Sequence, residues 1–251
     1  MLELHGVYSG YDGNDVCRNI SFTSDSPELI ALIGPNGSGK STLLKTVSGL
    51  INPSQGNISI DGSNMAEMKN PERAQKVSYL LQSRSVPNIS VRRLVLHGRF
   101  PYLGYPRRYT AEDISIVEES LRLTGTEKFA DKLLPALSGG QQQMAYIAMA
   151  LAQQTDIILL DEPLTYLDID RQSETMSLMK RLVSMGKTII TVLHDIPAAM
   201  KYADKLIILE NGAIVCDVAP DAAYESGVVD RVFNTKLIRV PLGESFRYLC
   251  E

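Results

Sequence analysis

The chain has 251 residues, 44% of them apolar and 22% charged, with a formal net charge of −4 at pH 7. This is an ordinary globular composition, long enough for one large domain or a domain with a subdomain, and it excludes a disordered chain. The acidic balance argues against a nucleic-acid surface, and the scattered Cys17, Cys216 and Cys250 suggest neither a disulfide framework nor a zinc site.

Leu2 to Tyr8 and Asn19 to Thr23 read as short strands around the turn Gly10-Tyr11-Asp12-Gly13-Asn14. Met1 to His5 shows no basic segment followed by an apolar core, so no secretory signal is expected. Leu29 to Ile33 is an apolar run that reads as a buried strand. It feeds Gly34-Pro35-Asn36-Gly37-Ser38-Gly39-Lys40-Ser41-Thr42, and a helix is expected from Ser41 to Gly49. Strand, glycine loop and helix form the setting in which GxxxxGK[ST] cradles nucleotide phosphates. The glycines let successive N–H groups point inward, and the helix N-terminus adds partial positive charge. Lys40 is placed to reach the β- and γ-phosphates, and the Ser41 hydroxyl to take a Mg²⁺ position.

Asn57 to Asp61 alternates in the manner of a strand, and Val77 to Leu81 is another, ending at Gln82. From Ser83 to about Pro135 the pattern turns helical. Ser90 is a cap for Val91 to His97, and Thr110 caps a helix to about Leu123, with Asp113 completing a capping box and Gly125 ending it. Such a block between strand-rich flanks reads as an inserted subdomain. A helix follows from Ser138 to about Gln153; within it, Met144 to Ala152 is the longest apolar run, half the ~18 residues of a membrane span.

Asp156 to Asp161 is a buried strand ending in Asp161-Glu162-Pro163. An acid at such a strand end holds Mg²⁺ in phosphate-loop proteins, which is the role expected of Asp161. Glu162 is placed to orient and polarise an attacking water. A helix from Arg171 to Met185 is closed by Gly186, a strand runs from Lys187 to Leu193, and Asp195 caps the next helix, with Pro197 in its first turn. Leu206 to Leu209 and Ala213 to Cys216 form a hairpin through Asn211-Gly212. One short helix and weak strand signals are expected beyond about Ala219.

Leu137-Ser138-Gly139-Gly140-Gln141 opens a helix with a cap and two unobstructed N–H groups, a second anion site. With the other two motifs it makes the chain resemble the ATP-binding-cassette (ABC) ATPases, whose signature is LSGGQ, from about Leu2 to Asp217. The resemblance implies an α/β phosphate-loop NTPase core with an antiparallel β subdomain and an inserted helical subdomain. It also implies ATP and Mg²⁺ as ligands. Two ATPase subunits, expected as a homodimer, would close head to tail, the signature of each meeting the nucleotide on the other's phosphate loop. The implied division is 1–82 and 136–218 for the nucleotide-binding core, 83–135 for the helical subdomain and 219–251 for a tail.

Further matches follow from the same resemblance. Tyr11 matches the aromatic that stacks on adenine, although a strand-edge role is the alternative. Gln82 matches the Q-loop residue that contacts Mg²⁺ or water and joins core to helical block. Thr165-Tyr166-Leu167-Asp168 matches the interfacial D-loop, and Asp168 is equally a cap for the helix from Arg171. His194 matches the switch histidine at the γ-phosphate, whereas His5 and His97 lack such a setting. Gln142, Gln143 and Met144 follow the signature where arginines are common, and Leu164 occupies a position where Thr or Ser is common.

Arg99-Phe100-Pro101-Tyr102-Leu103-Gly104 and the run Glu162 to Ile169 are similar to the importer group serving siderophore-iron, haem and cobalamin uptake. That likeness implies a cytoplasmic subunit held at the membrane by integral permease subunits, acting indirectly with an exported substrate-binding protein. The helical block from Ser83 to Tyr109 would receive a permease helix. A soluble ABC ATPase of the iron–sulfur assembly kind is the alternative; a phosphate-loop kinase is disfavoured by Leu137 to Gln141.

Overall fold

The computed structural model describes residues 1–82, 86–165, 167–242 and 245–251. In chain order, β1 (Leu2–Tyr11) and β2 (Asn14–Ser24) form a hairpin, followed by β3 (Leu29–Ile33), α1 (Lys40–Val47), β4 (Gln55–Ile60), β5 (Ser63–Asn64) and α2 (Asn70–Lys76). Next come β6 (Val77–Leu80), α3 (Val91–Leu96), α4 (Ala111–Leu123), α5 (Gly139–Ala152), β7 (Ile157–Leu160) and α6 (Ile169–Ser184). The chain continues with β8 (Thr188–Val192), α7 (Ile196–Tyr202), β9 (Lys205–Glu210), β10 (Ala213–Val218), α8 (Pro220–Glu225), α9 (Val228–Phe233), β11 (Leu237–Leu242) and β12 (Ser245–Cys250).

Among the described residues the strands form three sheets, of which the small β11-β12 hairpin belongs to the tail. An antiparallel sheet has the order β2-β1-β4-β5, and a six-stranded sheet has the order β10-β9-β3-β8-β7-β6, parallel except where β10 pairs with β9. β3 is buried along its whole length because helices cover one face and the antiparallel sheet with α1 covers the other. Alternation divides its residues: Leu29, Ala31 and Ile33 join the helix-side core, while Ile30 and Leu32 pack with Leu43, Leu44 and the β1 side chains. The loop after β3 therefore emerges beside the carboxyl ends of β8 and β7, where open α/β sheets place ligands. Leu193 N–H donates to Leu32 O at 3.3 Å and Asp161 N–H to Leu80 O at 3.0 Å, which fixes those ends against one another.

The helical block is held to α5 by a buried charge. Arg99 donates from Nε to Asp113 Oδ1 at 2.8 Å, and from Nη1 to Ala152 O at 2.9 Å and Gln154 Oε1 at 3.2 Å. Its guanidinium also lies 4.0 Å from the Tyr102 ring centroid. Asp113 is the acid of the expected capping box, accepting from Thr110 N–H at 2.8 Å. Burial alone would raise its carboxyl, but the Thr110 and Arg99 hydrogen bonds together hold it below the usual carboxylate range.

Several expectations are corrected. Tyr11 and Asn14 are paired strand residues, so the first turn narrows to Asp12-Gly13, both at positive φ. α2 was not expected: it buries no residue and so lacks apolar periodicity, and its sequence signal is Pro71 in the first turn and Glu72 accepting from Lys69 N–H at 2.7 Å. The described tail carries two short helices where one was expected, and its weak strand signals correspond to the hairpin of β11 and β12, with Val229, Leu237 and Tyr248 joining the main core beside Ala199 and Met200 of α7. Among the described residues no helix is long and apolar enough to cross a membrane. The expected helical block begins at Ser83, which lies outside the described residues.

Candidate functional site

The loop from Gly34 to Gly39 is shaped by its contacts with the sheet. A Cβ on Gly34 would meet Leu209 O at 2.2 Å, and Gly39, at φ 104, caps α1 from the left-handed region. Cys17 lies beneath, its thiol donating to Gly39 O at 3.5 Å and pushed up to about 11 chiefly by burial, which keeps it an inert packing group. Asn36, Gly37, Gly39, Lys40, Ser41 and Thr42 line a cavity of about 210 Å³ together with Val16, Glu162 and His194. Buried Ser38 Oγ has no hydrogen-bond partner among the described residues.

Lys40 is buried and lies back across the loop, donating to Gly34 O at 2.7 Å and Pro35 O at 2.9 Å. Burial pushes its ammonium below the ordinary lysine range, while Glu162 and Asp161 oppose that shift. Ser41 Oγ donates to Asp161 Oδ1 at 3.0 Å. Burial pushes the Asp161 carboxyl up, hydrogen bonds from Tyr79 and Ser41 oppose it, and the nearby Glu162 charge adds to the rise. Two hard oxygen donors at this spacing, one on a buried carboxylate, fit a small divalent cation such as Mg²⁺.

Glu162 adopts φ 52, which turns its side chain away from Asp161 toward a different set of partners. Gln82 Nε2 donates to Glu162 Oε2 at 2.6 Å, His194 Nε2 lies 2.7 Å from Oε1, and Thr165 Oγ1 donates to Oε2 at 3.4 Å. Gln82, expected at the metal, thus has its hydrogen bond to the Glu162 carboxylate, because the strand end of β6 runs alongside that of β7.

Other expected residues lie apart from this cluster. Tyr11 is half exposed at the hairpin end, accepting from Lys45 Nζ at 3.2 Å with the ammonium 5.7 Å from its ring centroid. The signature turn caps α5 reciprocally: Gln141 N–H donates to Ser138 Oγ at 3.4 Å and Ser138 N–H to Gln141 Oε1 at 3.1 Å. Gln141, expected among the nucleotide contacts, is therefore engaged through its side chain in the cap. Gly140 and Gln141 line a second, separate cleft with Thr124, Phe129 and Arg171. Asp168 Oδ1 accepts from Arg171 N–H at 2.8 Å as the cap of α6, and the neighbouring Tyr166 lies outside the described residues.

The unusual residues after the signature have partners. Gln142 Nε2 donates to Leu134 O and Leu137 O at 3.1 Å, and Gln143 Nε2 to Pro163 O at 2.9 Å, tying the signature helix to the turn after Glu162. Met144 Sδ accepts from Thr175 Oγ1 at 3.7 Å, and Leu164 packs against the main core. Sequence reasoning missed Tyr79, whose hydroxyl donates to Asp161 Oδ2 at 3.0 Å; the alternation of β6 was the available signal.

Residues 17–165 match the ABC transporter family. The chain is 41% identical over 236 residues to the petrobactin import ATP-binding protein YclP of Bacillus subtilis (strain 168), covering 93% of each chain. It is 38% identical over 229 residues to the ferric enterobactin transport ATP-binding protein FepC of Escherichia coli (strain K12), covering 90% of this chain and 84% of that one. Among solved structures, a dimeric ATP-binding cassette in a post-hydrolysis state bound to ADP and Pi matches with TM-score 0.76 and 28% identity, over 88% of this chain and 99% of the other. A phosphate loop facing a strand-end acid pair, in a chain with this match along most of its length, makes the protein a member of the ABC transporter family of ATP-binding subunits.

Proposed function

We propose that the chain is the ATP-hydrolysing subunit of an ABC importer for ferric siderophores, working as a homodimer on a separate membrane permease. The observation that carries the dimer is the separation of the two anion-binding turns, with the signature in one cleft and the phosphate loop in another. In one chain the γ-phosphate meets a single helix N-terminus; a second copy, presenting Ser138, Gly139 and Gly140, adds another from the opposite side. Asp168 would lie along the same interface. The substrate class rests on the names of the two relatives, which differ in siderophore but share the iron-chelate chemistry.

In this reading the adenine stacks on Tyr11, and the phosphates seat on the N–H groups from Gly34 to Thr42. Lys40 exchanges its carbonyl partners for β- and γ-phosphate oxygens. Ser41 and Asp161 would hold Mg²⁺, which when bound would supply charge neutralisation to the phosphates, and Gln82 holds the Glu162 carboxylate at their edge. Glu162 takes a proton from the attacking water, and His194 orients the γ-phosphate. Positioning and electrostatics carry the reaction, with little covalent work for side chains. We assign 1–82 and 136–218 to the nucleotide-binding core, 83–135 to the helical subdomain that receives a permease helix, and 219–251 to the tail.

Lys40→Ala is expected to weaken ATP binding by ~10–100-fold, since hydrogen bonds from a charged donor contribute about 1.5–3 kcal/mol; a binding titration reads this directly. For transport, the gene should be deleted and uptake of ⁵⁵Fe-labelled siderophores followed. Uptake lost on deletion and restored by the intact chain is the expected result. Intact uptake of every ferric siderophore tested, with iron–sulfur enzymes losing activity instead, would favour the assembly ATPase.

A further inference from the structure

β6 holds both acids at the end of β7. From its end Gln82 engages Glu162, and three residues earlier Tyr79 engages Asp161. Register explains the second contact. β6 and β7 run parallel with Tyr79 opposite Leu159, so Tyr79 shares a sheet face with Leu159 and Asp161. Two residues of strand rise about 6.6 Å, close to the reach of a tyrosine hydroxyl from its Cα. The ring packs against the core between the sheets, and the hydroxyl arrives at Asp161 Oδ2, 3.0 Å away. Ser41 is bonded to the other oxygen, Oδ1. Each carboxylate oxygen thus has its own neutral hydroxyl donor, and the buried position of Asp161 leaves little room for water to replace either one.

We propose that Tyr79 is a positioning residue for the metal site. Its hydroxyl anchors Oδ2 and fixes rotation of the carboxylate, so that Oδ1 is presented to the cation beside Ser41. The proposal rests on the reading that Ser41 and Asp161 hold Mg²⁺. Outer partners of metal ligands act in this way, by orienting a group they do not replace. Tyr79→Phe removes one hydroxyl and keeps the ring in its packing site.

The test uses Mn²⁺ as the metal probe, with ADP saturating, and reads free Mn²⁺ by electron paramagnetic resonance. Tyr79→Phe is expected to weaken Mn²⁺ binding by ~10-fold, with ADP affinity in EDTA unchanged. Tyr79→Leu, a second variant lacking the hydroxyl, carries the same expectation. Wild-type Mn²⁺ affinity in a folded Tyr79 variant overturns the proposal, and so does a parallel loss of metal-free ADP binding, which would mark a general packing role. Asp161→Asn and Ser41→Ala run alongside. If those two weaken Mn²⁺ binding and Tyr79→Phe does not, the inference about Tyr79 fails alone; if none of the three does, the metal-site reading fails.

Discussion

Glu162→Gln is expected to bind ATP and dimerise normally while losing turnover by ~10²–10⁴-fold, the range that a general base contributes. The amide keeps the size of the carboxylate and can still accept from Gln82 and Thr165, whose hydrogen bonds go to Oε2 in the wild type. It cannot take the proton of an attacking water. Glu162 lines the same cavity as the turn from Gly34 to Thr42, but in the proposed reading the phosphates are held by the N–H groups of that turn and by Lys40, so affinity is expected to remain. Single-turnover phosphate release and sedimentation with ATP would separate the two effects. The expected result is a stable ATP-bound dimer with slow phosphate release. Hydrolysis near the wild-type rate would remove Glu162 from the base role, and a monomer under saturating ATP would count against the two-copy site. Glu162→Ala tests a different property, because it also strips Gln82 and His194 of their shared partner.

Arg99→Ala is expected to cost about 3–5 kcal/mol of stability, the penalty for breaking a buried ion pair by removing one partner. Arg99 and Asp113 are each 5% exposed, so the orphaned carboxylate would gain little hydration. The same substitution frees Ala152 O and Gln154 Oε1 and removes the stacking on Tyr102. For a chain of this size the midpoint of thermal unfolding should fall by about 10 °C. The double variant Arg99→Met, Asp113→Asn should be the more stable of the two, since Asn still accepts from Thr110 N–H and no charge is left unpaired. If the double variant is as unstable as the single one, the loss lies in the bonds to α5 rather than in the charge on Asp113.

These residues show how much was legible beforehand. Motifs whose chemistry is local could be read from order alone: Gly34 to Thr42 between a buried strand and a helix, Asp161-Glu162 after four apolar residues, and the caps Ser90, Thr110, Ser138, Asp168 and Asp195. Each of those caps depends on residues within three positions, so no tertiary contact had to be known. The resemblance to importer ATPases around Arg99 was visible as a string, but its physical content, a guanidinium joining three segments, was not. α2 and the second tail helix escaped because neither shows a long amphipathic period, and neighbouring elements stabilise them instead.

Pairings between segments distant in sequence had to come from the fold. Tyr79 is 82 positions from Asp161, and Gln82 is 80 from Glu162. His194 reaches Glu162 only because β8 lies between β3 and β7. Sequence by itself determined that this protein carries the parts of a nucleotide-hydrolysing cassette, since loop, cap and strand-end acid are written in runs of a few residues. Tertiary structure decided which groups hold those parts in place and that the signature turn occupies a different cleft from the phosphate loop. The reason is that strand order and register, set by burial on both faces of the sheet, fix distances that no local pattern encodes.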